Sequence, residues 1–363
     1  MSARPESPTV DIAREQRAKD RAVKRARMLD LLDHVDAPAI LLTSSTAVSW
    51  YLDGGRTGVS LAADPIVAVR VSRDADEVFL TSNETARLVA EELPNDVVLR
   101  ERLWYEPMPT VDAIPEMAVA DALRAARLPL LPGETDRYRA LGADTAAAMT
   151  HVFMRAERSW SERDLAAALT GALADVGADP LVVLVGGAER AAVPHPLPTA
   201  APLGSRAMAV LCARRDGLIA NCSRWLAFGE ETPEERDAAE RILRVEAAAL
   251  DATRPGNSIA AVLDVIASAY PAAGFSPDQW RRHHQGGAAG YAGRDPRATP
   301  SLADRIVLEQ AFAWNPWSPG AKVEDTVLLT GTEEHPEIDV LTVDPAWPTT
   351  IVNGHRRPAT LIR

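Results

Sequence analysis

Four segments of the chain interrupt apolar, strand-like runs with polar side chains: GGAERAAVPHPLPT (186–199), RRDGLIANCSRWLAFG (214–229), RRHHQGGAAGYAGRD (281–295) and AFAWNPWSPGAKVEDTVLLT (311–330). A polar group in such a place is either paired or lines a site, because burying it alone costs free energy. The chemistry on offer is that of imidazole, guanidinium, amide and carboxylate. His195 stands in a loop between Pro194 and Pro196. His283 and His284 precede small residues at 286–290, which let a backbone or a ligand come close. On an alternating strand only one of those two rings faces a cleft. Arg294 could clamp a carboxylate through two parallel N–H bonds, or form a surface ion pair. Glu324 and Asp325 lie among apolar Val323, Val327 and Leu329, so alternation turns one of them inward and the other outward.

The elements that must position these residues follow from periodicity. Residues 11–33, without Pro or Gly, read as one amphipathic helix with a solvated basic face, in preference to a nucleic-acid contact. Runs at 39–45, 65–72, 76–83 and 96–103 read as strands, with a helix at 84–93. Pro-rich 128–134 reads as a linker.

The remainder holds an internal repeat at an offset of 97 residues. Ser161 and Ser258 each stand where a helix N-cap belongs, and Gly177 and Gly274 where each helix stops. Leu165, Leu169 and Leu173 in one copy meet Val262, Ile266 and Tyr270 in the other, at helical spacing. A helix ahead of each copy matches less well, and the later of these two opens on the capping sequence Thr232-Pro233-Glu234-Glu235. Strands are expected at 181–186, 207–213 and 217–223 after the first copy, and at 305–314 and 323–330 after the second. A duplicated α-α-β-β unit predicts two halves about a pseudo-twofold, with a cleft between them. The fold class is thus α/β. The domains are a flexible N-terminus (1–10), an N-terminal α/β domain (11–135) and a larger domain (136–363).

Composition narrows the function classes without choosing one. The chain has 363 residues with a net charge of −12, which argues against a general nucleic-acid binder. No apolar run approaches bilayer length and the N-terminus has no secretory signal, so a cytoplasmic protein with no membrane partner is expected. Cys212 and Cys222 form no C-x-x-C pair and read as reduced thiols.

The polar segments resemble those of the pita-bread superfamily of methionine aminopeptidase, aminopeptidase P, prolidase and creatinase. SSTAVSWYLDGG (44–55) and SNETARLVAEEL (82–93) resemble its creatinase-type N-terminal domain, and the later segments its pita-bread domain. The likeness implies five ligand positions for two metals. They fall on Val210, Asn221, Gly287, Asn315 and Glu324, where the family has Asp, Asp, His, Glu and Glu. One carboxylate cannot hold two divalent ions, so neither metal nor other cofactor is expected.

The resemblance implies an acid–base role for His195, a task that an imidazole with a near-neutral pKa suits. His283 aligns with a pocket histidine, and Arg294-Asp295 with a His-Glu pair. Glu324 becomes the buried carboxylate of its pair, with Lys322 on the same face as its expected partner. Asn221 and Asn315 become neutral hydrogen-bonding groups for a polar substrate. Arg56, after YLDGG, is a candidate to reach a partner subunit's site in a homodimer.

The function expected is a metal-independent, creatinase- or aminopeptidase P-type hydrolase. It would cut a C–N bond in a small amide, guanidino or amidino compound, with His195 and Glu324 as catalytic groups. Asn221, His283, His284, Arg294, Asn315, Lys322 and Arg56 would bind substrate. The alternatives are a non-catalytic pita-bread binding module and a Xaa-Pro-type metallopeptidase with an altered metal site.

Overall fold

A computed structural model describes residues 8–363, so most of the expected flexible N-terminus lies outside the described residues. The chain forms two compact units. One extends to Arg137 and includes Asp216–Leu218; the other comprises Tyr138–Arg215 and Ile219–Arg363. Among the described residues no helix is long and apolar enough to cross a membrane.

The first unit holds α1 (Pro8–Val35), β1 (Ala39–Leu42), α2 (Ser45–Tyr51), β2 (Ala68–Ser72), β3 (Asp76–Thr81), α3 (Thr85–Glu91), β4 (Val98–Arg102), β5 (Ile114–Pro115) and α4 (Ala120–Arg127). Its strands make one mixed sheet in the order β4-β3-β2-β1-β5. The expected strand 39–45 ends early because the Ser44 side chain accepts from the Ala47 N–H and caps α2. The basic face of α1 is solvated only in part: Lys19 is exposed, but other basic side chains are not. Lys24 is fully buried between Asp53 and Glu134, and Arg21 pairs with Asp76 and Asp96. Charge on this helix serves packing, because a buried cation is tolerated only when paired.

Helix α5 (Pro132–Phe153) begins in the first unit, and from Tyr138 on it belongs to the second, which follows with α6 (Glu162–Asp175). The chain continues through β6 (Asp179–Gly187), β7 (Arg206–Arg215) and β8 (Leu218–Ala227), then α7 (Pro233–Ala252) and α8 (Ile259–Ala272). Next come β9 (Gly286–Ala289), β10 (Gln310–Trp314), β11 (Trp317–Ser318), β12 (Ala321–Lys322), β13 (Asp325–Gly331) and β14 (Pro336–Val340). The last strands are β15 (Thr349–Val352), β16 (His355–Pro358) and β17 (Leu361–Ile362). The duplicated caps are formed. Ser161 accepts from Asp164 in a full capping box, and Ser258 accepts from Ala261. Leu165, Leu169 and Leu173 are fully buried, as are Val262, Ile266 and Tyr270. Gly177 and Gly274 follow their helices at φ 69° and 83°, a left-handed conformation that favours glycine.

Each helix pair accompanies a four-stranded sheet, β17-β8-β7-β6 in one half and β14-β13-β10-β9 in the other. The Ser223 N–H donates to the Glu324 carbonyl at 2.9 Å, and Ile219 N–H to the Gly290 carbonyl at 2.8 Å, so the two sheets meet edge on. The expected strand at 305–314 begins only at Gln310. Glu309 takes φ 57°, which turns the chain, and the Val307 N–H is held by the Gln310 side chain.

Candidate active site

The residues singled out by type converge where the two sheets meet. His195 lies in the loop after β6. That loop is tied down by Glu162, the first residue of α6, whose buried carboxylate accepts from the N–H groups of Gly187 and Thr199, the Thr199 hydroxyl and Arg190. Burial pushes this carboxyl up, but the bonds from Thr199 and Gly187 outweigh it and hold the pKa below the usual value. The sequence offered only a weak signal for Glu162, an acid in the first turn of a capped helix.

His283 and His284 do not lie on an alternating strand. They follow the 3-10 turn Gln279–Arg282 and precede β9, so both rings reach the site, which corrects the expectation that only one would. The ring centroids stand 4.7 Å apart for His195–His283, 5.6 Å for His195–His284 and 4.5 Å for His283–His284. Gln285, buried beside them, donates to the His283 and Trp280 carbonyls and accepts from the Tyr270 hydroxyl. Gln285 and Tyr270 thus fix the segment, and neither stood out in the sequence as part of a site.

Lys322 on β12 is 3 % exposed, and its Nζ lies 3.1 Å from His283 Nε2. That Nε2 also lies 3.1 Å from His195 Nε2. An ammonium only donates, so His283 Nε2 must accept; His195 Nε2 must then donate, which leaves the His195 lone pair on Nδ1. Burial, then the Lys322 charge, lowers the pKa of His195. The same two causes take His283 down to about 2, and burial with the Arg294 charge takes His284 to about 3. All three rings are therefore neutral. Burial lowers Lys322 to about 8, with Glu324 pulling the other way, so it is mostly charged at neutral pH.

Glu324 is 2 % exposed, and its partner is not Lys322. The Arg294 guanidinium donates to Glu324 Oε1. Arg294 is a buried rather than a surface ion pair: one of its terminal nitrogens donates to Glu324 and the other to the Gly293 carbonyl, while its Nε–H has no partner. Asp325 is buried too, at 1 %, so neither carboxylate faces solvent. Strand alternation instead sends them to two different buried environments.

The five positions to which the sequence resemblance gives ligands are all buried. Val210 packs with Leu184, Met208 and Trp225. Asn221 on β8 exchanges hydrogen bonds with the Thr326 hydroxyl through its backbone. Asn315 follows Trp314, which pairs with Asp325, and its N–H donates to the Gln285 carbonyl at 3.1 Å. Gly287 takes φ +148°, and a Cβ there would stand 2.3 Å from the Pro296 carbonyl oxygen. The backbone itself thus excludes a histidine at 287.

Several buried polar atoms here have no hydrogen-bond partner: Asn221 Oδ1, Asn315 Oδ1, Arg294 Nε, Ser223 Oγ, and Nδ1 of both His283 and His284. Such atoms are rare in a packed interior, and together they form a polar surface shaped for something to bind. A separate cavity of about 160 Å³, lined by Arg236, Leu243 and Thr350 among others, shares Lys322 and Ser223 with this cluster but none of the histidines. Arg297, exposed, lies near enough to act on His195 and His284 by charge and was not anticipated. Arg56 belongs to the other compact unit, exposed and paired with Glu92. Both cysteines are free, and burial pushes both thiols up to about 12, which disfavours the thiolate.

Comparison with known proteins places this architecture. The model of metallopeptidase family M24 matches residues 136–331. The dipeptidase PepE from Mycobacterium ulcerans has a similar structure, with a TM-score of 0.73 at 18 % identity over 96 % of this chain and 98 % of that one. The prolidase from Pyrococcus horikoshii OT3 also gives 0.73, at 15 % identity over 88 % and 98 %. The N-terminal domain of FACT complex subunit SPT16 from Cicer arietinum (chickpea) gives 0.66, at 12 % identity over 91 % and 96 %. No curated protein matches the chain. At these identities the structures share a fold and nothing finer.

Proposed function

The chain belongs to metallopeptidase family M24, and from that premise we propose that it is a hydrolase that works without a metal at the family's ligand positions, cutting the C–N bond of a small amide. The observation that carries this reading is the Arg294–Glu324 ion pair, surrounded by partnerless polar atoms. A dinuclear centre wants several carboxylates, some of them bridging. Here the donor set is a single carboxylate, already neutralised by a guanidinium, with two amides, a valine and a glycine that admits no side chain. These residues do not fit two divalent ions.

Neutral His195 is the base. Its Nδ1 takes a proton from water as the water attacks the amide carbon, and returns that proton to the leaving nitrogen as the C–N bond breaks, giving a carboxylic acid and an amine that exchange the remaining proton and leave as carboxylate and ammonium. Lys322 and Arg294 supply positive charge for the oxyanion that develops. Asn221 and Asn315 offer buried carbonyl oxygens to substrate N–H groups. Because Glu324 already carries a guanidinium, the reading favours an amide over a guanidino or amidino compound. The same balance of charge favours an uncharged or anionic small molecule as substrate.

The test is hydrolysis of a panel of small amides and dipeptides by chelator-treated protein. Activity retained in chelator and lost in His195→Ala supports the reading. Activity that needs added metal overturns it in favour of an altered metallopeptidase. An inert protein under all conditions leaves the non-catalytic module.

A further inference from the structure

The three histidines have a second capacity that the acid–base reading does not use. His195, His283 and His284 each present a ring nitrogen, and the three nitrogens lie within 4.8 Å of one another. The closest pair, at 3.1 Å, is already near the edge of a tetrahedron, about 3.3 Å for Zn–N bonds of about 2.0–2.1 Å. With all three nitrogens within 4.8 Å, closing to that edge asks for a shift of about 1.5 Å at most, and His284 is only half-buried. All three rings are neutral, as ligands must be. Nδ1 of His283 and of His284 is buried with no partner, so the cluster has polar valence to spare.

We propose that His195, His283 and His284 form a site for one borderline transition-metal ion, of the Zn²⁺, Co²⁺, Ni²⁺ or Cu²⁺ class, in competition with the Lys322 ammonium. The donor set is imidazole only, which selects those ions over Mg²⁺ and Ca²⁺. None of the three occupies a ligand position of the dinuclear arrangement, so the site is separate from it. Lys322 stands 3.1 Å from the His283 nitrogen and repels a cation there, as do Arg294 and Arg297. Affinity is therefore held down by charge rather than by a lack of ligands. A bound ion takes His195 through Nε2, which moves the ring proton to Nδ1 and so blocks proton transfer there.

Metal binding is read directly, without a substrate. Tag-free, chelator-stripped protein is titrated with Co²⁺ and followed by its visible ligand-field absorption. The expected result is one equivalent bound, at least tenfold weaker in His284→Ala and at least tenfold tighter in Lys322→Met, with Mg²⁺ giving no competition. Unchanged melting temperatures establish that each variant is folded. Absence of binding to the wild-type chain overturns the proposal, as does an affinity that His284→Ala or Lys322→Met leaves within twofold. This outcome is independent of the hydrolase reading, which fails or stands on chelated protein.

Discussion

Glu324 and Asp325 are neighbours in the chain, both buried, and they live in opposite surroundings. Asp325 sits in a saturated network. Arg224 reaches one oxygen at 2.8 Å and Arg357 the other at 2.7 Å, the Thr342 hydroxyl donates at 2.6 Å, and Arg357 is shared with Glu246 at 2.6 Å. Every charge there has its partner. Glu324, one residue earlier, has one guanidinium, and around it stand the amide oxygens of Asn221 and Asn315 and the Nε of Arg294 with none. The protein can saturate a buried polar cluster and does so on one face of the strand. On the other face it leaves the cluster open. Satisfied networks rigidify a core, whereas open ones cost stability unless a ligand or water completes them.

The contrast can be broken from either side. The largest effect is expected at the open face. His195→Ala should lower turnover by roughly 10²–10⁴-fold, the usual contribution of a general acid–base group. Its melting temperature should hardly move, since His195 is exposed and surface changes usually stay within about 0.5 kcal/mol. Steady-state kinetics alongside calorimetry separates the two.

Asp325→Ala should do the reverse. Stranding buried Arg224 and Arg357 costs about 3–5 kcal/mol, measured by denaturant unfolding. A small loss there would mean that the saturated network is dispensable and the contrast superficial.

Gly287→Ala comes next. Its Cβ would meet the Pro296 oxygen at 2.3 Å in a left-handed backbone, so a loss of about 1–3 kcal/mol is expected in the same assay.

The smallest effect is on the pH profile of kcat/KM. His195 acts as base only when neutral, and its pKa lies below the usual 6.5, so the acid limb should fall below that pH. Lys322 loses its charge as pH rises through about 8, so the alkaline limb should fall there. Lys322→Met should remove that limb.

Much of the fold was legible because it rests on local rules. The caps at Ser161 and Ser258, the matched apolar stripes and the left-handed glycines that end each helix are all short-range signals, and they implied the two-halved domain. The candidate site was legible as a set of residues but not as a set of partners. Lys322 meets His283 rather than Glu324, and Arg294 comes from another segment to take that carboxylate. Period-two alternation failed at His283–His284 because the two residues lie between a 3-10 turn and β9 and not on a strand. It could also not tell that both faces at 324–325 are buried, since periodicity separates faces but does not say what covers them.

The sequence by itself determined which chemical groups the chain possesses at its polar interruptions, and the order in which they stand. Those are matters of residue type and spacing, and no folding changes them. Only the tertiary structure decided which charge neutralises which, because ion pairs and tautomers depend on distances between segments far apart in the chain. It placed a guanidinium against the remaining carboxylate and an ammonium against the imidazoles, and so set three histidines neutral beside one another.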